Sequence, residues 1–216
     1  MLLPSISNRP VRLGVLLSGG GTTLLNLLDC INNKTLAAEV RVVVTNQPAC
    51  KGRSRSEAAG LPTFVQRRSD FDGLADYSRA IFDVLQQHDV DLVIMAGFLS
   101  MLQIPEEYQH QVLNIHPSLI PSFCGKGMYG HHVHEAVKNR GVKLSGCTVH
   151  FANNQYDEGP IVLQRPVAIP DHCSADDIAA LVFEQERVAY PEAIRRVISG
   201  RLEVTGRSTI YHDSET

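Results

Sequence analysis

The feature that most constrains this chain is its opening succession of a buried strand, a glycine loop and an apolar helix. Val11–Leu17 is a short, almost wholly apolar run, the composition of a strand covered on both faces. Ser18, Gly19, Gly20, Gly21, Thr22 and Thr23 follow, after which Leu24, Leu25, Leu27, Leu28 and Ile31 share one broad helical face. The alternation continues with a strand at 40–45, a short helix at 53–59 closed by Gly60, and a strand at Thr63–Val65. A longer helix at 70–87 buries Phe71, Leu74, Ile81, Phe82 and Leu85, and a buried strand follows at 92–96. Strands and helices in turn, with short connections, predict an α/β fold: an open, twisted, mostly parallel sheet with helices on both faces.

The second half changes style. Val112–His116 reads as a strand running straight into Pro117, and a glycine-rich stretch at 124–130 precedes a helix near 134–139. Strands at 145–151 and 161–167, joined by the polar turn 152–160, predict an antiparallel hairpin at the sheet edge. Ser174-Ala175-Asp176-Asp177 resembles a capping box opening a long helix through Ile198 that stops at Gly200. No repeat or linker marks a boundary in the 216 residues, so one domain is expected over 1–207, with a polar, mobile tail at 208–216.

Composition removes several function classes. With 44% apolar and 20% charged residues the chain is an ordinary globular sequence, and a net charge of −3 argues against a nucleic-acid partner. No run approaches the roughly 20 apolar residues that cross a bilayer, so no membrane partner is expected. Residues 1–10 lack the charged and apolar regions of a signal peptide. The cysteines (five, scattered, without a C-x-x-C) fit a reduced, cytoplasmic location. Composition leaves monomer and homodimer open.

The glycine loop is suited to an anion. Glycine lets the backbone approach closely, N–H groups at a helix start attract negative charge, and Thr22 and Thr23 add hydroxyls. No lysine follows the glycines, so it is not a Walker A loop. Leu24 stands where a dinucleotide loop needs its third glycine, and the second strand ends in Thr45-Asn46 without the acidic residue that holds a ribose diol. A monophosphate fits better; a plain tight turn is the alternative.

Asn114-Ile115-His116-Pro117-Ser118-Leu119-Ile120-Pro121 carries the candidate chemistry. Side chains two apart on a strand share a face, so a carboxamide and an imidazole emerge side by side at its carboxyl end, where open α/β sheets bind ligands. Spacing alone leaves catalysis and a structural hydrogen-bonded pair equally open. Asp157, in Asn153-Asn154-Gln155-Tyr156-Asp157-Glu158-Gly159-Pro160, sits where Asp and Gly also serve plain turns, and His150 is equally ambiguous. His131 and His134 would share a helical face, but no third ligand is evident, so no metal is expected.

Five motifs occur in order: Ser-Gly-Gly-Gly-Thr-Thr-Leu at 18–24, Ala-Gly-Phe at 96–98, the Asn114–Pro121 element, Gly-Cys-Thr-Val-His-Phe at 146–151, and Asp-Glu-Gly-Pro-Ile-Val-Leu-Gln at 157–164. Together they resemble the phosphoribosylglycinamide formyltransferases, within the folate-dependent formyltransferase superfamily, across roughly 11–204. The resemblance implies a Rossmann-like formyltransferase fold and formyl transfer from 10-formyltetrahydrofolate, as co-substrate, to glycinamide ribonucleotide. It implies that Asn114, His116 and Asp157 are catalytic, with Asp157 holding His116 as imidazolium. Ser18 to Thr23 would bind the acceptor phosphate, and Glu186 would contact the acceptor. Phe98, Leu99, Ser100, Met101 and Leu102, with Asn153, Asn154 and Tyr156, would line the folate pocket. Related hydrolases of formyltetrahydrofolate, and transferases acting on another small amine, are the alternatives. Two departures stand out: Thr23 replaces an amide that the family often has, and Ser100 stands where many relatives carry Arg.

Overall fold

A computed structural model describes residues 1–6 and 8–212. The seven main strands lie in the order β3-β2-β1-β4-β5-β6-β7, mostly parallel, and five α-helices accompany them. By internal contacts the chain divides into two compact units, Asn8–Asn114 and Met1–Ser7 with Ile115–Thr216.

In the first unit, β1 (Val11–Leu17) pairs in parallel with β2 (Ala38–Thr45) on one side and β4 (Leu92–Met95) on the other. β2 pairs with β3 (Thr63–Val65), and β4 with the start of β5 (Val112–His116), again in parallel. The chain leaves β1 towards β2 and leaves β4 towards β5, in opposite directions across the sheet, so the β1–β4 junction is the switch point at which open sheets take up ligands. Val11, Leu13, Val15, Leu16 and Leu17 are all fully buried, as a strand covered on both faces requires. The helices are α1 (Thr22–Asn32), α2 (Lys51–Ala58) and α3 (Leu74–Gln87). The helix expected over 70–87 begins only at Leu74: Gly73 is extended at its N-cap, and Arg68–Asp70 forms a separate 3-10 turn. Phe71 therefore packs edge-on against Tyr77 from an extended segment instead of from the helix.

In the second unit, α4 (His131–Arg140) leads to β6 (Leu144–Phe151), which pairs antiparallel with β7 (Ile161–Ala168), the outermost strand, as the hairpin reading predicted. β7 carries Pro166 opposite Gly146. Helix α5 (Ala175–Ile198) opens with the expected capping box, Ser174 accepting from the Asp177 N–H while Asp177 accepts from the Ser174 N–H. A hairpin not read from the sequence closes the chain: β8 (Leu202–Thr205) pairs with β9 (Ser208–Tyr211). The segment expected to be a mobile tail thus begins with a strand, whose Thr209 hydroxyl donates to the Ile161 carbonyl (2.6 Å). Residues 213–216 of that tail lie outside the described residues.

Candidate active site

The glycine loop leaves the carboxyl end of β1 inside the first unit. Gly21 is the N-cap of α1 at φ +72, and no side chain caps the helix, so its first-turn N–H groups are left to partners outside the helix. The loop carbonyls are tied back from α2: the Gly52 N–H donates to Gly19 O (2.9 Å) and Arg55 Nη1 to Gly20 O (2.6 Å). Pinning the carbonyls on one side favours an N–H-lined concavity on the other. Gly21 lies so close to α2 that a Cβ there would sit 2.7 Å from the Gly52 Cα, whereas a Cβ on Gly20 would meet only the Arg55 guanidinium at 3.9 Å. Thr22 is exposed and Thr23 half-buried.

The segment after β4 is held against this loop. The Ser18 N–H donates to Gly97 O (3.0 Å), and the Leu99 N–H donates to Ser18 Oγ (2.8 Å). Phe98 and Leu102 turn into the core at 6% and 3% exposure, while Leu99 stands out at 56%. Ser100, the position of the missing Arg, accepts a hydrogen bond from Asn46 Nδ2 (2.6 Å), and Met101 is half-buried. The second group expected to line the folate pocket, Asn153, Asn154 and Tyr156, is exposed on the β6–β7 turn, where Asn153 Oδ1 accepts from the Gln155 N–H (3.0 Å).

In the second unit the turn following His116 is bolted to the hairpin. Thr148 Oγ1 donates to Ser118 O (2.7 Å) and accepts from the Ile120 N–H, while Gln164 Nε2 donates to Ile120 O (3.0 Å). Within this frame His116 and Asp157 come together, with His116 Nδ1 3.7 Å from Asp157 Oδ2. The other imidazole nitrogen, Nε2, lies 2.8 Å from Phe123 O; a carbonyl only accepts, so Nε2 carries the hydrogen. His150 approaches the other carboxylate oxygen, Nε2 3.6 Å from Asp157 Oδ1, its Nδ1 donating to Phe151 O (2.9 Å). The Gly125 N–H completes the cluster, donating to Asp157 Oδ2 (2.8 Å). Both Asp157 (φ +56) and Phe123 (φ +50) occupy the left-handed region, sparsely populated by non-glycine residues and frequent where a site dictates the backbone.

Electrostatics follow from this packing. Burial alone would raise the Asp157 carboxyl, yet the His150 hydrogen bond, the attraction that His116 exerts when it is protonated, and the Gly125 N–H hold it below its ordinary value, so it is a carboxylate. Burial dominates at His116 and lowers it below its usual 6.5; Asp157 and the Phe123 carbonyl act in the other direction without prevailing, and His150 works with burial. The expectation that Asp157 holds His116 as imidazolium is corrected accordingly: the attraction is present but smaller than the desolvation of a ring 3% exposed. The pair is best described as a neutral imidazole poised beside a carboxylate. Asn114, half-buried two residues before His116 on β5, is placed by period-two alternation on the same face of the strand. Glu186, on α5, has its carboxyl pushed up to about 7 by burial.

A model of the formyl transferase family matches residues 11–194. The chain belongs to that family. It is 35% identical to a phosphoribosylglycinamide formyltransferase of Haemophilus influenzae, over 88% of this chain and 89% of that protein. It is 34% identical to the chicken trifunctional purine biosynthetic protein adenosine-3 over 92% of this chain, but spans only 20% of that protein's length. Among solved structures, a glycinamide ribonucleotide transformylase of Symbiobacterium toebii superposes with a TM-score of 0.89 at 33% identity, covering 96% of each chain. A formyltetrahydrofolate deformylase of Pseudomonas syringae gives 0.84 at 25% identity, covering 95% of this chain and 67% of that one.

His131 and His132 are exposed near Glu135, and His134 is buried at 6% exposure with its Nδ1 lacking a hydrogen-bond partner. Among the described residues no group of three or more His, Cys, Asp or Glu side chains is arranged to hold a metal ion, and no helix is long and apolar enough to cross a membrane. Burial, with smaller contributions from His131 and His116, pushes His134 down to about 4. A histidine lowered in the folded state favours folding above its unfolded value of 6.5 and loses that contribution as pH falls towards 4. Melting temperature should therefore drop between those limits, by about 3 kcal/mol of stability from this group alone, and His134→Gln should flatten the decline. An unchanged pH profile of melting in His134→Gln would refute that assignment.

Two contributors escaped the sequence, Arg55 at the loop carbonyl and the Ser18 contact to Leu99, and His150, left ambiguous by the sequence, lies beside Asp157. One of two arginines on a short helix, and a serine before a glycine run, carry no signal for these contacts; only the fold brings Arg55 to the loop and Leu99 to Ser18.

Proposed function

We propose that the chain transfers the formyl group of 10-formyltetrahydrofolate to the amine of glycinamide ribonucleotide, a step of purine biosynthesis. The observation that carries this reading is the buried His116–Asp157 pair, within a chain similar to enzymes named for that reaction along most of its length. Asn114, His116 and Asp157 are the catalytic residues. The acceptor's amine attacks the formyl carbon, and the carbonyl oxygen gains negative charge as the tetrahedral intermediate forms. The Asn114 amide donates to that oxygen, a contribution typically worth about 10²–10³ in rate. His116 enters neutral and takes up the proton that the attacking amine sheds as that charge develops, Asp157 stabilising the imidazolium until the proton is released again as the intermediate collapses. Asp157 also assists transfer of the amine's proton to the departing folate nitrogen through water.

The Ser18–Thr23 loop takes the acceptor's phosphate through the backbone N–H groups that follow Ser18, whose own N–H is bonded to Gly97 O, with the threonine hydroxyls as further donors. Arg55, bonded to Gly20 O, supplies the cation that the loop itself lacks. Glu186, poised near neutrality, accepts from the acceptor. Phe98 to Leu102, with Asn153, Asn154 and Tyr156, form the folate side, mainly through backbone groups, since Phe98 and Leu102 are turned inward.

The test is the absorbance change as 10-formyltetrahydrofolate loses its formyl group, with and without glycinamide ribonucleotide. Release dependent on the amine is expected; release that ignores it would instead identify a hydrolase. Arg55→Met should raise the KM for glycinamide ribonucleotide about tenfold, one charge-assisted hydrogen bond, and leave the folate KM nearly unchanged. Equal rises in both would remove Arg55 from the phosphate's surroundings.

A further inference from the structure

The end of β1 and the turn after β4 are joined by more than sheet pairing. The ladder between them continues past the strands, the Ala96 N–H donating to Leu16 O (2.7 Å) and the Ser18 N–H to Gly97 O (3.0 Å). Beyond that, the Ser18 side chain takes over, its Oγ accepting the Leu99 N–H at 2.8 Å in a position only 7% exposed. Ser18 is therefore the first residue of the anion loop and also the acceptor for a backbone N–H of the segment that Leu99 and Ser100 belong to. A second clasp fixes the far side of that segment, Asn46 Nδ2 donating to Ser100 Oγ (2.6 Å). The segment is thus attached on one side to the end of β2 and on the other to the loop itself. Of the two attachments, only the Ser18 bond reaches from the anion loop to the segment through a side chain.

We propose that the Ser18 hydroxyl couples the two substrate subsites, so that phosphate in the Ser18–Thr23 loop strengthens folate binding along Phe98–Leu102. This rests on the assignment of those two segments to acceptor and folate given above. An anion held by the loop N–H groups restricts the loop. Through the Ser18–Leu99 bond the same restriction orders the backbone that the pterin must meet. Ordering already supplied by the first ligand is not lost again when the second binds, which gives positive cooperativity without a change of fold. Linkage requires the effect to be reciprocal, so folate must strengthen acceptor binding by the same factor. One shared hydrogen bond sets the scale at roughly three- to tenfold in affinity. Ser18 is a positioning residue in this scheme, acting on the folate through the Leu99 N–H.

Calorimetric titration tests it with a pair that cannot react: tetrahydrofolate, which carries no formyl group, with and without saturating glycinamide ribonucleotide. The wild-type chain should bind tetrahydrofolate about three- to tenfold more tightly when the acceptor is present. Ser18→Ala should bring that ratio to one. Ser18→Cys, nearly the same size but a weak acceptor, should do the same if the alanine variant folds poorly. A serine with a purely structural role would lower both affinities in the variants and leave the ratio intact. A wild-type ratio of one, or a variant that keeps the wild-type ratio, overturns the coupling while leaving the proposed reaction standing. Failure of either ligand to bind the wild-type chain at all would overturn the proposed reaction and the coupling with it.

Discussion

Asp157→Asn is expected to lower kcat by about 10²–10⁴, the range for a group that manages a proton in the transition state, while the protein stays folded. Two structural facts separate chemistry from stability at this position. Asn tolerates the left-handed backbone that Asp157 adopts, so the φ of +56 carries little added strain. The amide oxygen also preserves an acceptor for the Gly125 N–H. What disappears is the negative charge between two imidazoles, one 3.7 Å and the other 3.6 Å away. His116 then loses the influence that opposes its burial, so the acid limb of the kcat/KM profile should move to lower pH as well. Steady-state kinetics across pH, with a melting curve for each variant, check both parts. Near-normal turnover would remove Asp157 from the mechanism, and a collapsed melting temperature would reassign it to the fold.

The largest structural effect is expected at Gly21. An alanine there would place Cβ 2.7 Å from the Gly52 Cα, backbone against backbone, at a φ of +72 that side chains avoid. Neither element can yield easily, since the Gly52 N–H is bonded to Gly19 O. Strain and overpacking together amount to about 2–5 kcal/mol, a fall in melting temperature of roughly 5–15 °C for a chain of this size. The KM for glycinamide ribonucleotide should rise far more than that for folate, because the helix start itself is displaced. Gly20→Ala is the control: its Cβ meets nothing closer than the flexible Arg55 side chain, so stability should hardly change. Equal instability in both variants would show that the loop is sensitive for reasons other than the Gly21–Gly52 approach.

Local pattern in the sequence carried the fold a long way and the site only part of it. Strands β1, β3 and β5 fall on the predicted residues, β1 because it is a compact, nearly apolar run and β5 because Pro117 marks its end. The final helix is marked by its own capping box. The start of α3 was misplaced because Phe71 continues the apolar periodicity across Gly73, which breaks the helix. The β8–β9 hairpin was missed because its strands are short and polar on one side, with β9 alternating between exposed and half-buried residues. For the site, period-two alternation put Asn114 and His116 on one face of β5, a statement about neighbours on a single strand. It had nothing to say about Asp157, forty-one positions beyond His116 on a turn. Nor could it orient His150: seven of the eight β6 residues are buried, so no alternation distinguishes one face from the other. The protonation of His116 was misjudged because attraction to a carboxylate can be inferred from residue types, whereas the competing loss of hydration depends on packing that only the folded chain reveals.

The outermost strand β7 has a consequence for how this protein meets its own copies. An open sheet ends in rows of backbone donors and acceptors that invite another strand. Here one border, β3, is three residues long, too short to template an annealing chain. At the other border β7 carries Pro166, which has no N–H to offer a pairing strand. The Thr209 hydroxyl occupies the carbonyl at the strand's first residue. Both rims of the sheet therefore offer a pairing strand less than a long, regular edge would.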